Sequence, residues 1–472
     1  MMKQAKKRTS VFSIASAVLL VSLVFFGSST FAQTSVIDDS NADRGTTIKL
    51  MSNNQLPKKV LVMCTPDTSD FVKELFNIVA RIHEEDSLSG DDSFILHVLP
   101  QRGGFSNIFT ALSNPDKIAA FFKTTKEKAA KLVEVNSEIG SNDIWMQDFA
   151  EFCASIENGK AVPAIFDVGR GRGLDGFAKW FAEAWQLKYF NNPSNAHAGG
   201  DYGGNIEVTP DNILFHGDTM TPACRNFLLE NGYKGREIQL NTSWLAVGHI
   251  DEYMMIIPTK FSPCGYSLVR SDPWYAMELL KSASPSDFEG MPEPYKSFLP
   301  RVQAALNDPQ AWKETKEALF IELNRKIGEI IEENVGKFVQ EVRNITGDSE
   351  REIPTVAWPN LFRSEDQANM KRCVAYTPGV VNHLVLRDHL IVPDPFFPPF
   401  RKMVEARFRS QGNKVHFLND LAYHDLMGEV HCGTNVVRDP NRVMVTPKIT
   451  AAVSVLKADF ARLHGDNQEA RH

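Results

Sequence analysis

Short apolar runs alternate with amphipathic stretches along most of the chain. Lys59 to Cys64 and Phe94 to Leu99 are nearly continuous apolar runs, whereas Ser69 to Ile82 repeats apolar residues every three or four positions. The first pattern predicts buried strands and the second predicts a helix with one apolar face. Further strand-like runs occur at Val162 to Phe166, Ile206 to Val208, Trp244 to Ile257, His383 to Val392 and Val443 to Val445. We therefore predict an α/β or α+β fold.

The longest helical pattern covers residues 311–342. Its apolar positions, from Phe320 to Val342, recur at spacings of three and four, so one face is apolar and the other carries charge. Packing against the core is the expected role, and a partner-binding coiled coil is the alternative. A shorter pattern of the same kind, Ile449 to His464, predicts a helix near the C-terminus.

The beginning of the chain differs in character from the rest. Residues 1–32 combine a basic start, an apolar run from Val11 to Phe26 and small residues ending at Ala32. This layout predicts a signal peptide cleaved after Ala32, and hence an exported protein, secreted or periplasmic. An uncleaved membrane anchor is the alternative, although the run is short for a span and is interrupted by serines. Residues 33–57 are polar and predict a flexible linker.

Composition and charge narrow the class of partner. The chain has 472 residues, of which 43% are hydrophobic and 23% charged, which excludes a disordered, collagen-like or disulfide-knot protein. Its net charge of -7 becomes -11 once the four basic residues of the first 32 are removed. We expect no nucleic-acid partner and no stable membrane association after cleavage, because both rest on basic surfaces. The six cysteines are too sparse and irregular for a disulfide framework.

Three clusters carry candidate chemistry, and the first lies within the run Trp244 to Ile257. His249 and Asp251 occupy alternate positions there, so a strand would place both on one face, and Gly248 beside them leaves room for a ligand. A structural histidine satisfied by an aspartate is an equally good interpretation of this cluster alone.

The second cluster is the segment 142–152. Strict alternation would place Asp148 among apolar side chains, where a carboxylate is costly unless a cation or a hydrogen-bond donor meets it. Either a buried arginine or lysine of the protein fills this role, or a cationic substrate does.

The third cluster is the turn Gly428 to Asn435. Cys432 lies there between His431 and Gly433, where backbone amides can converge, which makes it the best nucleophile candidate among the six cysteines. An inert core cysteine is the alternative. One cysteine, one histidine and two aspartates together suit attack on a planar cation, since two carboxylates can hold a guanidinium while a thiolate approaches its carbon.

These motifs resemble those of the protein-arginine deiminases, which convert peptidyl arginine to citrulline and ammonia. The resemblance is carried by Trp145-Met146-Gln147-Asp148, by Val247-Gly248-His249-Ile250-Asp251-Glu252 and by Gly428-Glu429-Val430-His431-Cys432-Gly433-Thr434-Asn435. It implies a pentein fold, a five-bladed α/β propeller of pseudo-symmetric ββαβ modules. It also implies a catalytic domain over residues 58–447, followed by a C-terminal helical extension over 448–472.

The resemblance implies a role for each matching residue. Cys432 would be the nucleophile, His249 the general acid and then base, and Asp148 and Asp251 the carboxylates that hold the guanidinium. Trp145 and Val247 would line the channel for the arginine stem, and Arg170 or Arg172 would contact backbone carbonyls of a protein or peptide substrate. One calcium site would be formed by Gln147, Glu151, Gly203, Ile206 and Glu207.

Three alternatives to this function stay open. Within the same fold, the substrate could be a small guanidine such as agmatine or free arginine. In a different class, a Cys-His-Asp amide hydrolase would use the same residue types, but it would not need the second buried carboxylate at Asp148. An exported binding protein with an inactive scaffold is a third interpretation.

Overall fold

The computed structural model describes residues 47–102, 107–194, 197–366 and 371–444. Nineteen strands lie in these ranges: β1 Thr47–Leu50, β2 Gln55–Cys64, β3 Ile95–Pro100, β4 Val133–Val135, β5 Ala150–Glu157, β6 Lys160–Asp167, β7 Lys188–Asn191, β8 Ile206–Val208, β9 Leu214–Gly217, β10 Glu237–Leu240, β11 Met254–Pro258, β12 Tyr266–Asp272, β13 Thr355–Pro359, β14 Phe362–Asp366, β15 Lys371–Ala375, β16 Leu384–Leu386, β17 His389–Pro393, β18 Lys414–Leu418 and β19 Thr434–Val443.

Eleven α-helices connect strands within the same ranges: α1 Ser69–Glu85, α2 Ile108–Ala111, α3 Pro115–Phe121, α4 Lys126–Leu132, α5 Phe177–Ala184, α6 Pro222–Leu228, α7 Pro273–Lys281, α8 Tyr295–Asn307, α9 Lys316–Thr346, α10 Pro398–Ser410 and α11 Leu421–His424. Within the described ranges, no helix is long and apolar enough to cross a membrane.

Five sheets share one topology. In each sheet the first two strands pair antiparallel, a helical connection follows, and the third strand pairs parallel with the second. The five sets are β5-β6-β7, β8-β9-β10, β11-β12-β13, β16-β17-β18 and β19-β2-β3. In the last set the first strand comes from the other end of the described chain, so β19 and β2 close the arrangement. The predicted α/β class and the five ββαβ modules of a pentein are thereby confirmed.

Three further features decorate these modules. β1 extends one sheet by pairing antiparallel with β5, and β4 extends another by pairing parallel with β3. β14 and β15 form a separate antiparallel pair.

The amphipathic patterns produce the helices for simple physical reasons. α1 buries the apolar stripe that includes Phe71, Leu75 and Ile78, and it spans the predicted helix with three more residues at its end. α9 begins where Thr315 Oγ1 accepts a hydrogen bond from the backbone N–H of Ala318, and it ends at Gly347, whose φ of 68° suits glycine. Its apolar face is buried, so core packing is its role in the described structure.

Two sequence predictions are wrong. The linker predicted for 33–57 is wrong from residue 47 onward, because Ile48 and Leu50 are buried in β1 and the next residues continue into β2. The strand predicted for Trp244 to Ile257 is confined to β11, since a 3-10 turn, Ile250–Glu252, precedes it. The predicted signal peptide and the predicted helix Ile449 to His464 lie outside the described residues.

Candidate active site

A short segment precedes the first strand of every module, and these segments meet. The backbone N–H of Gln147 donates to the carbonyl of Cys432 at 3.1 Å, and the N–H of Cys432 donates to Asn382 Oδ1 at 3.1 Å. The N–H of Ile250 donates to Asn205 Oδ1 at 3.2 Å. The segments are 146–148 before β5, 203–205 before β8, 250–252 before β11, 379–383 before β16 and 428–433 before β19.

The thiol of Cys432 lies close to the buried carboxylate of Asp251. Cys432 is only 7% exposed, and its Sγ is 3.8 Å from Asp251 Oδ2. The same oxygen lies 2.8 Å from His431 Nδ1. Burial raises the pKa of the Cys432 thiol well above its ordinary value, and the charges of Asp251 and Asp148 raise it further. The substrate-free thiol is therefore protonated, and a cation between the two carboxylates would favour its ionisation.

His249 faces the other carboxylate. Its Nε2 lies 2.9 Å from the carbonyl oxygen of Gly199, which can only accept, so Nε2 carries the proton in the neutral ring. Nδ1 lies 3.7 Å from Asp148 Oδ1 and is the nitrogen left to take up and release a proton. Burial raises the pKa of Asp148, while the charges of His249 and Arg170 oppose that rise.

Three buried polar atoms in this site have no hydrogen-bond partner among the described residues: Asp148 Oδ1, Asp251 Oδ1 and His249 Nδ1. Gly204 keeps the space beside them, because a Cβ there would lie 2.5 Å from His249 Nδ1 and 3.1 Å from Asp251 Oδ2. Unpartnered buried polar atoms are costly, so a ligand with several N–H donors would relieve them.

Arg170 lies deeper than the resemblance implied. Its Nη1 donates to Asp148 Oδ2 at 2.8 Å, and Nε and Nη2 donate to the two oxygens of Asp143 at 2.9 Å and 3.2 Å. The guanidinium also lies over the ring of Tyr202, 4.8 Å from its centroid. All three nitrogens of Arg170 serve buried carboxylates, which leaves Arg172 as the better placed of the two arginines to contact substrate carbonyls. That contact stays a prediction. A buried arginine of the protein is one of the two partners that the sequence predicts for Asp148.

The remaining residues predicted to bind substrate lie nearer solvent. Arg172 has a side chain 67% exposed, with Nε 3.6 Å from Asp143 Oδ2. Val247 is 36% exposed. Trp145 is half-buried, and it packs so closely on Gly428 that a Cβ there would lie 2.3 Å from the indole. A large ring thus lies next to the segment of the nucleophile.

Several oxygen-bearing groups lie close to Gln147. Gln147 Nε2 donates to Glu151 Oε1 at 2.9 Å, and a Cβ at Gly203 would lie 2.2 Å from the Gln147 carbonyl and 2.4 Å from Glu151 Oε1. Burial raises the pKa of Glu151 well above its usual value, with the nearby charge of Glu207 next in importance. Burial likewise raises the pKa of Glu207 to about 7. Ile206 begins β8 beside them. This donor set fits a hard cation.

Sequence reasoning missed three residues that hold the site in place. Asn382 accepts the N–H of Cys432 and donates Nδ2 to the carbonyl of Asp251 at 3.3 Å. Glu252 Oε1 accepts the backbone N–H groups of Gly248 and His249 at 3.1 Å and 2.9 Å. His431 lay in a recognised motif, but nothing in the sequence indicated its bond to Asp251.

Comparisons with known proteins agree with this geometry. Residues 211–444 match the family model described as Protein-arginine deiminase (PAD). Protein-arginine deiminase type-1 of Mus musculus is 29% identical over 341 residues, which is 66% of this chain and 48% of the mouse protein. Protein-arginine deiminase type-4 of Rattus norvegicus is 28% identical over 365 residues, which is 69% of this chain and 51% of the rat protein. The chain spans about half the length of these curated relatives.

Among solved structures, the agmatine deiminase of C. jejuni covers 84% of this chain at 13% identity, with a TM-score of 0.47. Both sequence comparisons and the meeting of Asp148, His249, Asp251 and Cys432 in one buried site lead to the same family. Residues 211–444 of this chain belong to the protein-arginine deiminase family.

Proposed function

We propose that residues 58–447 form a deiminase that hydrolyses the guanidinium of peptidyl arginine to peptidyl citrulline and ammonia. The observation that carries this proposal is the set of unpartnered buried atoms beside Cys432: one oxygen of Asp148, one oxygen of Asp251 and Nδ1 of His249. A guanidinium is planar, permanently charged and bears N–H donors in a fixed fork, so it suits two facing carboxylates.

The first half of the reaction builds a covalent intermediate on Cys432. The bound cation offsets the carboxylate charges that hold the thiol protonated, so with substrate in place the thiol gives its proton to Nδ1 of His249 and the thiolate forms. The thiolate attacks the guanidinium carbon to form a C–S bond. As the tetrahedral species collapses, one C–N bond breaks, and the leaving nitrogen takes a proton from His249 and departs as ammonia.

The second half releases the product. His249 Nδ1 accepts a proton from water, which attacks the carbon of the thiouronium intermediate and forms a C–O bond. The C–S bond then breaks and returns the electron pair to Cys432. The proton of the new hydroxyl group restores the thiol, and His249 releases its proton to solvent. The product is the ureido group of citrulline, which is neutral and no longer pairs with Asp148 and Asp251, so product release follows.

The geometry favours this reaction over amide hydrolysis by a Cys-His-Asp enzyme. That chemistry needs a histidine in hydrogen-bond reach of the thiol. Cys432 Sγ instead lies 3.8 Å from a carboxylate oxygen of Asp251, and His249 lies across the site on Asp148. Asp148→Asn separates the two classes, because full turnover in that variant would favour the amide hydrolase.

Peptidyl substrates are favoured over small guanidines by the residues nearest solvent. Arg172 is the cation available to backbone carbonyls of a peptide, and Trp145 and Val247 flank the stem of the arginine side chain. The acidic charge of the chain beyond Ala32 would also favour encounters with arginine-rich proteins. Export as a secreted or periplasmic protein is part of this proposal.

One calcium ion belongs to the proposal. Gln147, Glu151 and Glu207 would hold it with carbonyl oxygens near Gly203 and Ile206. The ion would supply the positive charge that two buried glutamates need. Gln147 precedes Asp148 in the same 3-10 turn, so ordering Gln147 would also order the substrate carboxylate.

The deciding experiment is a citrulline assay on chelator-treated protein. Blocked arginine, free arginine and agmatine are compared at equal concentration, with and without added calcium. The proposal expects the highest kcat/KM for blocked arginine and activity that returns with calcium. A higher kcat/KM for agmatine or free arginine would show that the substrate is a small guanidine. Full activity without calcium would show that no calcium ion is needed. No citrulline from any of the three substrates would refute the proposed function.

A further inference from the structure

Two buried histidines, His389 and His416, face each other near the turn between β16 and β17. His389 begins β17 and His416 lies in the neighbouring parallel strand β18. They are 0% and 7% exposed, and His389 Nδ1 lies 2.8 Å from His416 Nε2. The rings are within 12° of parallel, with centroids 5.1 Å apart, so they meet edge to edge. One proton between the two nitrogens accounts for this contact.

The end of α1 brings carboxylates to the same place. Glu85 is its last residue and Asp86 caps it. One ligand atom from each of Glu85, His389 and His416 lies within 4.8 Å of the other two. Two imidazoles and one carboxylate form a ligand set typical of zinc and related divalent transition metals.

The tautomer of His389 is also arranged for ligation. Its Nε2 lies 3.2 Å from Asp86 Oδ2. Lys414 Nζ donates to the other oxygen of Asp86 at 2.7 Å and also lies 3.2 Å from His389 Nε2. A carboxylate that accepts the proton of one ring nitrogen leaves the other nitrogen with a free lone pair. Metal-bound histidines are usually oriented in this way by a second carboxylate. Nδ1 of His389 is thus directed toward Nε2 of His416.

We propose that Glu85, His389 and His416 form a binding site for a zinc-like divalent metal ion, with Asp86 as the positioning carboxylate. On binding, the proton between the rings moves from Nε2 to Nδ1 of His416, so that both facing nitrogens can ligate, and they separate from 2.8 Å to about 3.3 Å to surround the ion tetrahedrally. Water fills the fourth position. Calcium is a poor fit, because two of the three ligands are nitrogen.

The site joins two modules. α1 lies between β2 and β3 of the module closed by β19, whereas His389 and His416 belong to the module of β16, β17 and β18. An ion there would tie these neighbouring modules and stabilise the folded state, because it binds the folded chain and not the separated elements. It would take no part in the chemistry at Cys432.

The test uses the whole chain without an affinity tag, after removal of metals by chelation. Zn²⁺ is titrated in competition with a chromophoric chelator, and Co²⁺ is titrated while its visible absorption is recorded. The proposal expects one equivalent bound in a tetrahedral environment. His416→Gln should abolish this binding, and Asp86→Asn should weaken it by about 10- to 100-fold.

The matched pair of variants is Glu85→Gln and Glu84→Gln. Both residues are exposed in the last turn of α1, but only Glu85 is a ligand, so neither change threatens folding. Glu85→Gln should weaken zinc binding at least tenfold, while Glu84→Gln leaves it unchanged. Zinc binding that persists unchanged in both His416→Gln and Glu85→Gln, or a wild-type chain that binds no Zn²⁺, overturns the proposal.

Discussion

Arg170 Nη1 donates a hydrogen bond to Asp148 Oδ2 at 2.8 Å, so a guanidinium of the protein already occupies one oxygen of the proposed substrate carboxylate. A substrate arginine must share Asp148 or displace Arg170. Because Arg170 also pairs with Asp143, which is 5% exposed, removing the arginine alone would strand a buried charge.

The first prediction concerns this competition. In the double variant Arg170→Gln, Asp143→Asn, both charges are removed together and Asp148 is free to pair with substrate. We expect KM for a small guanidine to fall about tenfold, the equivalent of one charge-assisted hydrogen bond. Steady-state kinetics with agmatine and with blocked arginine measure the effect. An unchanged or raised KM for agmatine would show that Arg170 assists binding and does not oppose it.

The second prediction concerns the ionisation of Cys432. Burial and the charges of Asp251 and Asp148 hold its pKa well above the ordinary value, so a neutral alkylating agent should react slowly. A cationic agent should bind the carboxylates and promote the thiolate. We expect chloroacetamidine to label Cys432 at least tenfold faster than chloroacetamide, and the ratio to collapse in Asp148→Asn. Peptide mass spectrometry gives both rates, and equal rates in the wild type would contradict this account.

The third prediction concerns Asn382. Its side chain ties the backbone of Cys432 to that of Asp251, so Asn382→Ala should misplace the nucleophile relative to the guanidinium that Asp251 holds. We expect kcat to fall by about 10- to 100-fold, as two hydrogen bonds of roughly 1 kcal/mol would give, with KM changed less than about threefold. Asn382→Asp keeps the acceptor and should restore part of kcat. A loss confined to KM would show that Asn382 contacts substrate.

The fourth prediction concerns pH and Glu429, which lies three residues before Cys432. Glu429 Oε1 accepts the N–H of Gly379 at 2.8 Å and lies 2.8 Å from His424 Nδ1, and burial raises the pKa of Glu429 to about 8 from its ordinary 4.5. The folded state therefore holds this proton more tightly than the unfolded state does. The stabilisation is complete below pH 4.5 and is lost as pH rises through 8.

The measurement is the free energy of unfolding by denaturant at three pH values, 5, 6.5 and 8, for the wild type and for Glu429→Gln. These values cover the range between the ordinary pKa of a glutamate, 4.5, and the raised pKa of Glu429, about 8. The variant cannot titrate at this position, so the wild type should lose more stability across the range than the variant. Parallel pH profiles would show that Glu429 is ionised in the folded state.

Local sequence patterns predicted α1, α9 and a minority of the strands, such as β2, β3, β6 and β8, because hydrophobic periodicity reflects burial. They could not predict which strands share a sheet, since β19 pairs with β2 across most of the chain. They also misjudged the segment around His249. The side chains of His249 and Asp251 do lie together beside Gly204, but a 3-10 turn places them there instead of the strand that the sequence predicted.

Some residues of the candidate site could likewise be predicted from the sequence and others could not. Cys432, His249, Asp251 and Asp148 were found from their motifs, and the structure brings all four together. Asn382 was missed because it follows an apolar run and makes its contacts only through tertiary packing. The burial of Arg170 could not be predicted from the sequence either, since Asp143 and Asp148 are more than twenty residues away.

We propose that Cys432 attacks the guanidinium carbon of peptidyl arginine. The most direct measurement is citrulline and ammonia formation from blocked arginine by the wild type and by Cys432→Ala, both supplied with calcium. The account predicts equal amounts of the two products from the wild type and neither product from a folded Cys432→Ala variant. Continued release of citrulline and ammonia by that variant would contradict it.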